Sequence, residues 1–410
     1  MTLTRTHKIL VLIALYLAQG LPYGFFTQAL PVLMRDAGYS LKAISAASLL
    51  YLPWALKFLW APYLDHRGTQ RAWLLTLQIC SVVAALLLAG IDIARGLAIV
   101  LAAALVFNLI AATQDVATDA LAVRLLDSRE RGLANAIQVG AYRVGMILGG
   151  GVLLWIFART NWSTMFFCMA VLLALTVLPV VALPSVARQP TNPPHTALLL
   201  GWLTRLRRPG MATIMALILC YRFGDAMLSK QLTPFIRDWK LSLETIAIMK
   251  GIIGSATSLV GALIGGWFAF YVGRRTALLV SGLLQAGSFV LYLLVALNLA
   301  GIHVLWIATV VEGLVGTMAT VALFTLMMDV AEPEHAGTDY TLLASAVVLF
   351  DGIGAFVGAA IADATSYATT FIIGTVLAAA GCVFVVYHLD RVTISERITH
   401  AWRGTRVASA

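Results

Sequence analysis

The sequence predicts an all-α membrane protein with twelve transmembrane helices in two pseudo-symmetric six-helix halves. Three observations predict it. The 410 residues are 60% hydrophobic and only 11% charged, with a mean hydropathy of +0.90, whereas soluble domains are about a quarter charged. Twelve apolar runs are long enough to span a bilayer. Two stretches of the first half recur in the second.

The runs cover residues 9–34, 44–64, 73–91, 97–120, 134–157, 164–183, 211–236, 246–270, 277–299, 304–328, 340–362 and 368–389. With both termini cytoplasmic, seventeen of the twenty-eight Lys and Arg fall in cytoplasmic segments, six in the opposite loops and five inside the runs. Lys and Arg concentrate on the cytoplasmic side of membrane proteins, so this asymmetry sets the orientation and accounts for the net charge of +9 without nucleic acid. One cytoplasmic segment dissents: Asp329 to Asp339 is acidic and holds no Lys or Arg. The first run is too long for a cleavable signal and is read as an anchor. The domains read as 1–184 for the first half, 185–210 for a Pro-containing cytoplasmic linker with a basic end, 211–390 for the second half and 391–410 for a short, basic, frayed tail.

The first run carries Gln19-Gly20-Leu21-Pro22, read either as a packing kink or as a cavity-lining break. Ser40 is a candidate N-cap for the second helix. Arg35-Asp36-x3-Ser40-Leu41-x2-Ile44 recurs as Arg237-Asp238-x3-Ser242-Leu243-x2-Ile246. Ala61-x3-Asp65-x2-Gly68-x2-Arg71 recurs as Gly266-x3-Phe270-x2-Gly273-Arg274-Arg275, with the acid replaced by Phe. Two agreeing echoes point to a duplicated six-helix unit.

The charges inside the runs carry the functional reading. Asp115 and Asp119 stand four apart, on one helical face. An acid in hydrocarbon costs on the order of 3 kcal/mol, so both should face partners or a water-filled path. Lys57 reads as snorkelling or functional. Arg143, at a depth similar to Asp115, is expected to pair with Asp115 or Asp119. The glycines at 145 and 149–151 let helices approach closely. Arg222 and Asp225 share a face, Glu312 and Asp351 lie in the tenth and eleventh runs, and Lys230 and Lys250 are expected to be half solvated.

Among the deeper positions three cations, Lys57, Arg143 and Arg222, face five acids, Asp115, Asp119, Asp225, Glu312 and Asp351. A buried acid without a cation takes up a proton. That is the chemistry of a proton-coupled carrier, against which stands a set of static bridges locking helices together. The proton path is assigned to Asp115 and Asp119 with Arg143. The substrate cavity is assigned to Gln19, Gln114, Tyr142, Arg222, Asp225, Glu312 and Asp351. Hydrolase and P-loop motifs are absent. Phe223-Gly224-Asp225 is a faint echo of intramembrane aspartyl proteases, but Arg222 stands where their first glycine would be. The four cysteines form no metal or redox motif, and no metal or cofactor is expected. The expected partners are the bilayer, a small-molecule substrate and protons, with the chain a monomer.

Ala61-x3-Asp65-x2-Gly68 and its echo resemble the inner-loop signature of the major facilitator superfamily, which starts with Gly where this chain has Ala61. The resemblance implies an inner gate at Lys57, Asp65, Gly68, Arg71, Gly273, Arg274 and Arg275. The chain also resembles the AmpG-like branch, with its muropeptide permeases, RhtX/FptX siderophore importers and acetyl-CoA transporters. The residues concerned are Gln19 to Pro22, Lys57 to Pro62 with Asp65, Ala112 to Asp115 with Asp119, Arg131-Gly132, Tyr142 to Met146, Tyr221 to Ala226 and Leu284 to Ser288. That likeness implies a proton-driven importer of a bulky polar solute in a bacterial inner membrane, working by alternating access. The twelve-span length and Ala134 to Gly140 look more like the siderophore branch. Efflux of an amphipathic compound, or a sensor that kept the fold, are the alternatives.

Overall fold

The computed structural model of the chain describes residues 4–30, 33–34, 50, 52–91, 97–126, 130–183, 195–239, 241, 243–391 and 402. The first copy of the 35–44 echo, the Ser40 cap and the linker prolines Pro190, Pro193 and Pro194 lie outside them. Among the described residues every regular element is a helix. In chain order these are α1 (Arg5–Gly24), α2 (Leu52–Leu56), α3 (Ala61–His66), α4 (Gln70–Ala89), α5 (Leu97–Leu125), α6 (Arg131–Ile147), α7 (Leu153–Arg159), α8 (Trp162–Val181), α9 (His195–Leu206), α10 (Met211–Ser229), α11 (Leu232–Asp238), α12 (Leu243–Ile246), α13 (Gly254–Tyr271), α14 (Arg274–Ala296), α15 (Ile302–Val330), α16 (Ala336–Ala364) and α17 (Tyr367–Arg391).

Eleven stretches among the described residues are long and apolar enough to cross a membrane. The twelfth expected run, 44–64, is described only in part, as α2, a 3-10 turn at Lys57–Leu59, and α3. Pro62 sits at the first turn of α3. Without an N–H it cannot continue a preceding helix, so the run breaks here. Polar side chains start the helices where the sequence supplies them: Thr4 accepts from His7 N, Thr69 from Ala72 N and Asn161 from Thr164 N. π-helical turns at Phe25–Ala29, Leu148–Val152 and Ala247–Ile253 interrupt three of the spans.

The chain forms two compact units. The first comprises Met1–Leu125, Gly140–Leu203 and Glu332–Thr341. In it α1 crosses α6 backbone to backbone: a Cβ on Gly145 would lie 2.8 Å from Gly20 Cα. Gly20 thus serves close packing. Aromatic rings fill one end, with Phe25 4.9 Å from Phe166 and Phe26 5.8 Å from Phe107. The linker is not a loop throughout. Its later part is α9, where Trp202 packs 5.3 Å from Phe58 and a Cβ on Gly201 would meet Pro62.

The second unit comprises Leu126–Val139, Thr204–Ala331 and Leu342–Ala410. Glycines again set the crossings. A Cβ on Gly265 of α13 would lie 2.8 Å from Met318 Cα of α15, and one on Gly224 of α10 would strike Ala378 of α17. The tail is not simply frayed: Trp402 is buried and donates its ring N–H to Asp390 at 2.9 Å. The second echo survives in the backbone, since Gly68 and Gly273, each three residues after the acidic or Phe position, both take positive φ, 70° and 93°.

Candidate functional site

Helix α5 is the spine of the first unit. Its buried polar residues, Asn108, Gln114, Asp115, Thr118 and Asp119, recur at the spacing that stacks side chains on neighbouring faces. Lys57 donates to Asp115, and both are buried. Lys57 therefore does not snorkel, and Asp115 takes it as partner in place of the expected Arg143. The break between α2 and α3 delivers Lys57, since the 3-10 turn carries its side chain toward α5. Asp119 accepts from the Tyr16 hydroxyl at 3.0 Å. Arg143, on α6, is half-buried and within electrostatic reach of Tyr23.

Gln19 donates its amide N–H to Thr118 Oγ1 at 2.8 Å. Thr118 spends its one proton on the Gln114 carbonyl at 2.9 Å, so toward Gln19 it only accepts. This fixes the Gln19 amide with Oε1 turned away. Gln19 Oε1 and Gln114 Nε2 are both buried without a hydrogen-bond partner. Tyr23, one helical turn after Gln19 on α1, forms a mutual ring cluster with Trp54 and Tyr142, with centroids 5.4 to 6.4 Å apart. Trp54 also donates to Asn108 at 3.2 Å and lies 5.8 Å from the Lys57 ammonium.

A second cluster forms where α3, α5 and α16 meet. Asp65 accepts from Arg124 at 2.8 Å, from the backbone N–H of Gly337 and Thr338 at 3.2 and 2.6 Å, and from the Thr338 hydroxyl at 2.7 Å. It thus caps the first turn of α16. Arg124 also reaches the Pro333 carbonyl at 2.6 Å. Arg71, half-buried, donates to the Val181 carbonyl at 2.8 Å.

In the second unit Arg222 forks onto Asp351 at 3.0 and 2.7 Å and holds Asp225 at 2.8 Å. The other Asp225 oxygen accepts from Ser229 at 2.7 Å and from Gln285. Glu312 pairs with Lys250 at 3.5 Å, so this lysine is tied into the unit. Gly316 separates Gln285 from Glu312: a Cβ there would lie 3.4 Å from the one and 3.5 Å from the other. The structure therefore links Asp351, Arg222, Asp225 and Gln285 into one polar cluster, with the Glu312–Lys250 pair across Gly316 from it.

Asp329, with no exposed surface, joins Arg131 and Arg274, each at 2.8 Å. Arg275 holds Asp390 at 2.9 Å. In the acidic segment that departs from the charge asymmetry, Asp329 and Asp339 are buried while Glu334 is exposed. Asp329 lies inside between two arginines, and Asp339, equally buried, accepts from the Glu332 N–H.

The Major Facilitator Superfamily model matches residues 12–346 and 214–408. The chain belongs to the Major Facilitator Superfamily. Within it the chain is AmpG-like. It is 30% identical over 348 residues to the Anhydromuropeptide permease of Escherichia coli K12, covering 82% of this chain and 70% of that one. It is 21% identical over 407 residues to Putative transporter AmpG 4 of Rickettsia felis, covering 94% and 97%. The solved human organic anion transporter MFSD10 (TETRAN) superposes with a TM-score of 0.74 at 16% identity, covering 93% of this chain and 99% of that one. The chain is a multi-pass superfamily transporter, not an enzyme.

Several residues of this superfamily member escape a reading by composition and spacing. Tyr16, Tyr23 and Trp54 look like ordinary apolar-run residues, and nothing in their spacing marks them. Gln285 sits in a block that carries the family likeness, which signals it without assigning a role. Asp329 is flagged by its sequence context, but its partners are 198 and 55 positions away.

Proposed function

We propose that this transporter imports a muropeptide across the bacterial cytoplasmic membrane in symport with protons, by alternating access of its two six-helix halves. The observation that carries the coupling is the pair of buried carboxylates one turn apart on α5, Asp115 held by Lys57 and Asp119 by Tyr16. A proton arriving on Asp115 releases Lys57, and one on Asp119 turns an acceptor for Tyr16 into a donor. Either step changes contacts between helices, which is what coupling a proton to a conformational change requires. Likeness to the Anhydromuropeptide permease supports the substrate. The unpartnered Gln19 Oε1 and Gln114 Nε2 suit the amides of a large polar solute, and the ring cluster of Tyr23, one helical turn from Gln19, with Trp54 and Tyr142 suits its ring faces.

Gating falls to the Asp65–Arg124 cluster with Gly68 and to the Asp329–Arg131–Arg274 clamp with Gly273, both on the cytoplasmic side with the termini. Arg222, Asp225, Asp351 and Glu312 line the substrate path in the second half.

The test is uptake into proteoliposomes under an imposed inward proton gradient, with labelled anhydro-muropeptide and a ferric siderophore offered in parallel. Protonophore-sensitive accumulation of the muropeptide is expected. Accumulation of the siderophore alone would move the substrate to the other importer class, and accumulation of neither, by folded protein, would overturn import.

A further inference from the structure

Helices α10, α16 and α17 enclose a crevice of about 510 Å³ in the second unit. Cys220 and Phe223 of α10, Phe350 and Ile353 of α16, and Leu377 and Phe384 of α17 line it, and no lining side chain is charged or amide-bearing. Its floor is rigid. The backbones of α10 and α17 touch there, because a Cβ on Gly224 would strike Ala378 and one on Gly381 would strike the Cys220 carbonyl.

The crevice opens away from the charges. Leu219, Cys220, Phe223 and Gly224 share one face of α10, while Arg222, Asp225 and Ser229 share the opposite face. Its rim is the exposed apolar surface of spanning helices: Ile353, Leu377 and Phe384 are exposed, as are Phe356 and Val376 beside them. It also sits deep. Leu219 to Gly224 lie about 12–20 Å along α10 from Met211, and Leu377 to Phe384 about 15–26 Å along α17 from Tyr367, at 1.5 Å per residue. A bilayer's hydrocarbon core is about 30 Å thick, so at this depth the surrounding medium is lipid chain and not headgroup or water.

We propose that this crevice is a binding site for one hydrocarbon chain of a bilayer phospholipid. Shape, apolar lining and depth select a chain and give a headgroup nothing to bind. Phe223 follows Arg222 and Phe350 precedes Asp351, so the bound chain packs behind both helices that the Arg222–Asp351 bridge joins. Lipid occupancy then bears on the same helix pair as the buried charges.

The test reconstitutes the full chain in nanodiscs of phosphatidylethanolamine and phosphatidylglycerol, with a fraction of the phospholipid carrying a mid-chain diazirine. Adducts are mapped by mass spectrometry after photolysis. The expected map concentrates adducts on the segments holding Phe223 and Leu377, above Leu283 and Leu284, which are exposed on α14 outside the crevice. In Ala380→Phe, which fills the crevice from a lining position, the excess falls to the level of Leu283 and Leu284. Adducts distributed by exposure alone in the unmodified protein would overturn the proposal, whether or not the variant folds. So would an excess unchanged in folded Ala380→Phe, or one given by a small apolar diazirine but not by the phospholipid probe.

Discussion

Lys57 and Asp115 form a buried ion pair, with the lysine delivered by a broken span and the acid by a continuous one. Removing one member strands the other. Asp115→Asn should therefore destabilise the transporter by about 3–5 kcal/mol, the usual cost of an uncompensated buried charge. Replacing both, as Lys57→Met with Asp115→Leu, should restore most of that stability. If the pair serves coupling, transport stays lost in the double variant. Thermal unfolding in detergent alongside uptake separates the two readings, since recovery of both would make the pair purely structural.

Asp119 gives a second test of the proton path, since it accepts from the Tyr16 hydroxyl one turn beyond the Lys57–Asp115 pair. Asp119→Asn keeps the shape and removes the site for a proton, so accumulation driven by the proton gradient should be lost while exchange of substrate down its own gradient persists. Tyr16→Phe removes one hydrogen bond and should cost about 1 kcal/mol of stability, leaving coupling in place. Unchanged gradient-driven accumulation in Asp119→Asn would remove this residue from the path.

Why the fold was legible and the pairing was not follows from these same residues. Hydrophobic runs and Lys/Arg asymmetry are local quantities, so spans can be read along the chain. The Asp115–Asp119 face is equally local, because helix geometry fixes it. What Asp115 meets is not local: Lys57 is 58 positions away, and depth arithmetic places Arg143 as plausibly as Lys57. Arithmetic along a straight helix fails at Lys57 because the span around it gives way to a 3-10 turn at Lys57–Leu59 before α3 begins. The acidic 329–339 segment shows the converse. Its departure from the charge rule was visible, but its reason, two arginines from distant helices, needs three dimensions.

Asp329 serves two arginines at once, so its loss should exceed that of either partner. Asp329→Asn leaves Arg131 and Arg274 buried without their common anion, for a cost of about 3–5 kcal/mol. Arg274→Gln leaves Arg131 on Asp329 and should cost less. Thermal unfolding of the two variants orders them, and equal losses would mean that Arg131 gains nothing from the acid.

Gly273 adopts φ 93° and ψ 162° just before α14. That region of the backbone map is essentially reserved for glycine, so Gly273→Ala should cost about 1–3 kcal/mol. The substitution adds only a methyl and leaves Arg274 and Arg275 untouched. A loss of stability with unchanged substrate affinity is the expected pattern, measured by unfolding and by binding. An unaffected melting temperature would show that the turn relaxes around the new residue.

Asp65 and Arg124 invite a charge swap, and the structure says it should fail. Asp65 does two jobs: it holds Arg124 at 2.8 Å, and it caps the N-terminus of α16 through Gly337, Thr338 and the Thr338 hydroxyl. A helix N-terminus carries about half a positive charge and favours an anion by roughly 0.3–1 kcal/mol, to which the lost cap adds about 1 kcal/mol. In Asp65→Arg with Arg124→Asp the ion pair can reform, but an arginine then faces the positive end of α16 with no acceptor for its N–H groups. The swap should therefore remain defective in stability and transport, whereas Asp65→Glu should retain part of both. Arg71→Ala, which removes a bond to the Val181 carbonyl outside the Asp65 cluster, should cost less in stability than the swap. Uptake and unfolding of the three variants decide it. Full rescue by the swap would mean that the Asp65–Arg124 attraction alone matters and that the cap on α16 contributes nothing.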